Sequence, residues 1–307
     1  MPRHALISLD AVIVAVTDGA PRVLVVTDAG VDVLPSGPLD LDAHPTLERG
    51  MRAWVAQQTG LALGYVEQLY TFGDRFRDPR EASGGPRVIS AAYLALVREG
   101  RLAPGFEAAW ADWYGFLPWE DWRQGRPALI DQRLLPLLAA WTEAHPEHQE
   151  RARQCFGLDG RPWDPERSLE RYELLWEAGA VPEAQRSARK NTPLAPGRAM
   201  GRDHRRILAT ALGRLRGKLK YRPLVFELLP QRFSLGQLQR VVEALAGQTL
   251  HTQNFRRLVA NAGLVEPTGQ LTHATGGRPA ELFRFRREVL QERPAPGVGL
   301  PKTVREA

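Results

Sequence analysis

Between residues 233 and 285 the chain spells FSLGQLQRVVEALAG, then HTQNFRRLVANAGLV, then PTGQLTHATGGRPAELFRF, whose glycines fall midway between two strand-like runs. Ser234 is placed to cap the first helix. The second is expected from Thr252 to Ala262, where Phe255, Leu258, Val259 and Ala262 share one face at about 100° per residue and call for burial. Gln253, Asn254, Arg257 and Asn261 fall opposite, with Arg256 on the shoulder. A basic helix, DHRRILATALGRLRGKLKY, precedes this pair, and a hairpin follows it. Helices and hairpin in that order describe a winged helix-turn-helix.

Charge points the same way. Residues 202–293 hold 17 Lys and Arg against 7 Asp and Glu, a net of +10, while the rest of the chain carries −4. One third of the molecule is therefore suited to a polyanion and the remainder is not. Arginine matches the guanine edge and Asn or Gln the adenine edge in a major groove. Gln253, Asn254, Arg256, Arg257 and Asn261 are thus candidate base contacts, with Thr252 beside them. Arg278 at the hairpin tip is a candidate for a phosphate or the minor groove, and Lys218 and Lys220 are candidate phosphate contacts, with Ser234 added at the helix start. In the basic helix Leu208, Leu212, Leu215 and Leu219 step by 4, 3 and 4. That seam suits either a dimer contact or packing within its own domain, and one and a half heptads leave both open.

The N-terminal part reads differently. Strand-like runs at residues 5–16 and 23–27 flank Asp18-Gly19, a hairpin turn pair. A helix is expected from about Thr46 to Thr59, burying Leu47, Met51 and Val55 and closing at Gly60. VEQLYTF and RVISAAYLALV add two strands, making a mixed α/β sandwich. Trp110, Trp113, Trp119 and Trp122 crowd one segment; aromatics at such spacing pack into a core more often than around a base. SLERYELLWEAG forms a further helix with Ser168 as its expected cap, though Arg171 stands where a capping box needs Glu or Gln. QRSARKNTPLAPGRAMG has the composition of a linker. At 307 residues two domains are expected. We divide the chain into an α/β domain over 1–150, a helical extension and linker over 151–201, the winged helix over 202–293, and a disordered tail over 294–307.

Other classes recede. The single cysteine, Cys155, cannot build a disulfide framework, and the seven histidines show no metal-ligand spacing. The N-terminal apolar run is broken by Asp10, lacks a cleavage site and is too short for a bilayer, so a cytoplasmic protein with no membrane partner is expected.

Two sets of motifs resemble a known family. LPSG, QQTGL, QLYTFGDRFRDPR and RVISAAYLAL resemble a Nudix domain; FELLPQRFSLGQLQ, NFRRLVANAGLVEPTG and GRPAELFRF resemble the winged helix of the Nudix-related regulators of NAD metabolism, the NrtR-like family. The long chain and PWEDWRQGRP point within it to the NAD-biosynthesis repressors often called NadQ. The resemblance implies a Nudix-like α/β/α sandwich followed by a winged helix, and a homodimer on a palindromic double-stranded operator. It also implies an effector, NAD or ADP-ribose, and no catalytic cofactor.

The departures carry the functional reading. An active Nudix helix has Arg-Glu-x-x-Glu-Glu ahead of a glycine, its acids holding the divalent cations. Here Ala53 stands for the arginine, Trp54 for the first acid and Gln57 and Gln58 for the pair. The chain is therefore read as a repressor and not as an enzyme. Trp54, Gln57 and Gln58 either contact the effector or fill space. The loop Arg77-Asp78-Pro79-Arg80 resembles a motif of the ADP-ribose-handling branch, its arginines suited to a pyrophosphate, and Arg87, Ser90 and Tyr93 on the adjoining strand are expected to line the same cleft. The main rival is a working ADP-ribose pyrophosphatase with an accessory nucleic-acid domain, its metal held by Asp40, Asp42 or Glu67 alongside Glu48. A third reading is a module that docks its basic third on an acidic protein.

Overall fold

The structure, a computed structural model, describes residues 5–76, 78–102, 104–188, 193–272 and 279–289. The Asp18-Gly19 pair, both at positive φ, turns strand β1 (Ala5–Thr17) back into β2 (Ala20–Asp28). Two short strands follow, β3 (Val31–Val33) and β4 (Ser36–Pro38), then helix α1 (Leu47–Thr59). Gly60 closes α1 in the left-handed region, as the sequence predicts, and Thr46 stands just outside the helix as its N-cap, accepting from Arg49 N. Strand β5 (Tyr65–Phe72), the four-residue helix α2 (Pro79–Ala82), β6 (Arg87–Leu96) and β7 (Ala108–Asp112) complete a mixed sheet of order β3-β2-β1-β6-β5, with β4 on β1 and β7 on β2. Only β1 and β6 run parallel in it.

Because strand side chains alternate, the sheet has two different faces. Leu9, Ala11 and Ile13 of β1 and Ala91, Tyr93 and Ala95 of β6 meet Met51 and Val55 of α1. Val12, Val14, Ala92, Leu94 and Leu96 face the other way, into a helical body. That body comprises α3 (Leu135–Ala144), α4 (Gln149–Phe156), α5 (Ser168–Glu177), α6 (Pro182–Ala188) and α7 (His204–Leu219). Trp113 and Trp119 are fully buried in it, as core packing requires. Beyond lie α8 (Leu235–Ala246), α9 (Thr252–Ala262) and the hairpin β8 (Val265–Thr272)–β9 (Ala280–Phe285). One apolar cluster runs from the sheet through α5 and α7 to Leu245 and Phe255.

One open choice is decided and two expectations are revised. Leu208, Leu212, Leu215 and Leu219 are all buried inside the chain, so the seam of α7 is spent on its own fold. Ser168 does not cap α5; it lies one position inside the helix, fully buried, with its hydroxyl under Arg216. The segment read as a linker is strapped down over residues 195–201. Ala195 N donates to Ala180 O, Arg198 N to Gly115 O and Gly201 N to Asp32 O, and Met200 is buried. The tail beyond residue 289 lies outside the described residues. Among those residues no helix is long and apolar enough to cross a membrane.

Candidate nucleic-acid interface and nucleotide cleft

Helix α9 has one buried face and one exposed polar face. Phe255 and Val259 are buried, Leu258 and Ala262 half-buried, and Thr252, Gln253, Asn254, Arg256, Arg257 and Asn261 all exposed. One turn apart, Arg257 reaches the Asn254 amide oxygen at 3.4 Å. Neither Arg256 nor Arg257 makes an ion pair among the described residues, so both cations face outward uncompensated. The capping box of α8 pairs Ser234 Oγ with Gln237 N at 3.2 Å and Gln237 Oε1 with Ser234 N at 2.8 Å.

Sequence reading missed how the turn into α9 is braced. Gln239 Nε2 donates to Glu243 Oε1, Leu250 O and Thr252 Oγ1, and Glu243 Oε1 also accepts from Leu250 N at 2.8 Å. The available signal was a Gln and a Glu four apart on α8, one helical turn, just ahead of the turn residues. Three candidates for DNA contact are corrected. Lys218 pairs with Glu67 and Lys220 with Glu166, so both charges are neutralised within the chain. The Ser234 hydroxyl is engaged by its own helix and is almost fully buried. Arg278 lies outside the described residues.

In the cleft, the face of α1 that carries Trp54 and Gln58 packs against β4. The Trp54 indole lies on Gly37, where an added Cβ would sit 2.2 Å from the ring, and its Nε1 donates to Pro38 O at 2.8 Å. Gln58 clasps β4 at both ends of its amide, accepting from Ser36 N at 2.9 Å and donating to Ser36 O at 2.8 Å. Gln57 is exposed. These residues do not fit a divalent cation, which needs several anionic oxygens; an indole N–H only donates, and both ends of Gln58 are taken. Glu48 is held by Arg52 at 2.9 Å, and Glu67 by Tyr65 and Lys218. Asp40 accepts from Ala43 N and Asp42 N, which hold its carboxyl below the usual range, and Asp42 sits exposed in the same turn. Among the described residues no three His, Cys, Asp or Glu gather where they could hold a metal ion.

The remaining cleft candidates are not all brought together. Arg77 lies outside the described residues. Asp78 is buried and caps α2, and its carboxylate grips Arg80 at 2.9 and 2.7 Å. Burial pushes the Asp78 carboxyl up, but Arg80 outweighs it and holds the group below the usual range. Asp78 thus anchors Arg80 instead of facing a ligand, while Arg80 and Arg87 remain exposed, Arg87 donating to Gly73 O. Ser90 and Tyr93, read as lining one cleft, are on opposite faces of the sheet. Ser90 is fully buried with its hydroxyl unpartnered, and Tyr93 packs beside α1, where burial and then the Glu48 charge raise its phenol. A groove of about 800 Å³ lies elsewhere, between Arg98, just past β6, and β9, with both arginines and glutamates in its lining.

Behind Asp78 is a buried polar seam with no local signature in the sequence. Arg202 Nη1 donates to Ser36 Oγ at 2.9 Å, and His204 Nδ1 accepts from Leu34 N at 2.8 Å. His204 Nε2 lies 3.8 Å from Asp10, and Arg206 bonds Asp74 and Glu173. The first turn of α7 therefore grips the same β3–β4 region that Gln58 clasps. At its other end Arg216 enters a fully buried cluster. Glu120 accepts from Arg171 at 2.6 and 2.9 Å and from Arg216 at 2.5 Å, and Arg216 reaches Leu245 O, near the end of α8, at 3.3 Å. Gly247, at φ +69, allows this approach, since a Cβ there would lie 2.5 Å from Arg216 and from Glu120 O.

The fold and these two surfaces define a class: a Nudix-type sandwich carrying a winged helix. Residues 225–285 match the family model of the NrtR DNA-binding winged helix domain. Over 285 residues the chain is 24% identical to an ADPR responsive transcriptional repressor, NtrR, of Acinetobacter baylyi, covering 91% of this chain and 82% of that protein. In fold it is similar to Shewanella oneidensis NrtR complexed with a 27mer DNA (TM-score 0.55, 22% identity, 93% and 95% of the two chains). It is also similar to a MutT/nudix family protein from Enterococcus faecalis (TM-score 0.51, 14% identity, 93% and 88%). The chain is thus similar to NrtR proteins over most of its length and matches their winged-helix model over residues 225–285.

Proposed function

We propose that this protein is a DNA-binding transcriptional repressor that responds to an ADP-ribose-containing metabolite, ADP-ribose itself or NAD. The observation that carries the reading is α9, with amides and uncompensated arginines outward opposite a buried Phe255–Val259 stripe. It falls within the segment matched by the NrtR winged-helix family. The ADPR-responsive repressor of Acinetobacter baylyi supports the effector class. Thr252, Gln253, Asn254, Arg256, Arg257 and Asn261 are the proposed DNA contacts, Arg278 joining them from the hairpin tip. Arg80 and Arg87, with Arg77 beside them, are the proposed effector contacts. The protein acts as a homodimer on a palindromic site near genes of NAD biosynthesis, in the cytoplasm. Hydrolysis is no part of its role, since Trp54 and Gln58 occupy the metal face and Asp40, Glu48 and Glu67 are bound elsewhere.

The test is capture and sequencing of sheared genomic DNA by the purified chain, with and without NAD and ADP-ribose. We expect a few palindromic sites whose recovery changes with one ligand and is lost in Arg257→Ala. Recovery of no site under any condition refutes the reading. Magnesium-dependent release of AMP from ADP-ribose would establish the pyrophosphatase instead.

A further inference from the structure

In a helix-turn-helix the turn sets where the reading helix points, and here the turn is held from outside its own domain. Trp122 N donates to Gly247 O at 2.7 Å, Trp122 and Gln248 form a parallel β-bridge, and Thr249 Oγ1 donates to Arg123 O at 2.6 Å. The Arg123 side chain donates from Nη1 to Gly19 O in the β1–β2 turn at 2.7 Å. Its Nε and Nη2 fork onto Asp121, each at 2.7 Å, and its guanidinium lies over the Tyr114 ring at 5.1 Å. Tyr114 in turn donates to Ala244 O on α8 at 2.9 Å. Residue 123 is thus the junction of three pieces: the sheet's first turn, the tryptophan-rich segment and the turn ahead of α9.

A loop reading Arg123-Gln124-Gly125-Arg126 beside a DNA-reading helix invites a second interpretation, direct phosphate contact. The ion pairs argue against it. Arg123 is neutralised by a forked bond to Asp121, and Arg126 by Asp131 at 3.0 Å. Their charges are spent inside the protein.

We propose that Arg123 is a positioning residue for DNA recognition, locking the α8–α9 turn to the β1–β2 turn without touching DNA. The proposal rests on the DNA-binding reading of α9. It makes the sheet part of the apparatus that aims the reading helix, and it gives the tryptophan-rich segment a role.

The test uses the full chain with Arg123→Ala, Arg123→Lys and Thr249→Val. Affinity is measured from 50 to 200 mM salt for the genomic fragment that the wild type enriches most and for a non-specific duplex. A re-aimed helix loses specific affinity roughly tenfold, the scale of one charge-assisted hydrogen bond, at unchanged non-specific affinity and unchanged salt slope. Arg123→Lys, which still reaches Gly19 O, recovers part of the loss, and Thr249→Val falls in the same direction. A salt slope reduced by about one unit would make Arg123 a phosphate contact and overturn the proposal. So would equal losses on both duplexes, the sign of a smaller folded fraction. Hydrogen exchange gives a readout without DNA. In the free protein Arg123→Ala should speed exchange of the amides at residues 247–252. Unchanged exchange there overturns the clamp even if DNA binds; absence of any enriched fragment for the wild type would instead sink the DNA-binding reading.

Discussion

Replacing Glu120 by Gln keeps the shape of the buried cluster and removes its only anion. Glu120, Arg171 and Arg216 are all essentially inaccessible, and the carboxylate accepts from both guanidiniums. Breaking a buried pair by removing one partner costs about 3–5 kcal/mol. The lower end applies here, because Arg171 keeps Cys155 O and Asp164 O, and Arg216 keeps Pro165 O and Leu245 O. With an unfolding entropy of about 2.1 cal/mol/K per residue over 307 residues, a loss of about 3 kcal/mol lowers the melting temperature by about 5 °C. Burial pushes the Glu120 carboxyl up, but Arg171 and Arg216 outweigh it and hold it below the usual range. Its stabilisation is therefore complete above the ordinary glutamate value of about 4.3 and is lost as pH falls below it. The gap between wild type and Glu120→Gln, followed by circular dichroism, should be full at pH 7 and narrow below about pH 4. A gap under 1 °C at pH 7 would refute the reasoning, as would a gap that widens in acid.

Gly37→Ala drives a methyl into the Trp54 indole, and overpacking of that kind costs about 1–3 kcal/mol in denaturant unfolding. Trp54→Ala on the same background should remove the clash, and additive losses would show that the indole does not cover Gly37. Cys155 is buried, and burial, aided by the Glu170 charge, raises its thiol. A disulfide reagent at pH 8 should label it only in denaturant, and prompt labelling of the native chain would refute that environment.

Local periodicity made much of the fold legible. The Asp18-Gly19 turn, the Thr46 and Gly60 ends of α1, the Ser234 cap and the two faces of α9 each depend on residues within a turn or two of one another. What failed depended on distant partners. Lys218 reads as a phosphate contact until Glu67, 151 positions away, is found beside it. Glu120 meets Arg171 across 51 positions and Arg216 across 96, and no pattern along the chain announces a buried ion cluster of that separation. Ser90 and Tyr93 were read from one run of residues, where alternation already assigns them to opposite faces; that signal was present and overlooked. That positions 54, 57 and 58 of α1 carry no acid is visible in the sequence. That Trp54 and Gln58 fasten β4 is not, because their partners are backbone atoms.

Composition also misplaced the join between the two halves. Pro, Gly and basic residues at 185–201 resemble a tether, yet residues 195–201 are bonded to the sheet and the helical body, and α7 follows without a break in the core. This 16-residue helix is about 24 Å long. Its first turn holds Leu34 and Asp74 through His204 and Arg206, and its last turn reaches Leu245 through Arg216. A helix of that length bends little. The β3–β4 region and the end of α8 are therefore fixed to one rigid element, and neither can shift far without moving or releasing α7. On the proposed function, a ligand in the cleft changes DNA affinity only by as much as it distinguishes two positions of such an element. Arg202, His204 and Arg206 at one end and Glu120, Arg171 and Arg216 at the other are the bonds that would have to differ between those positions.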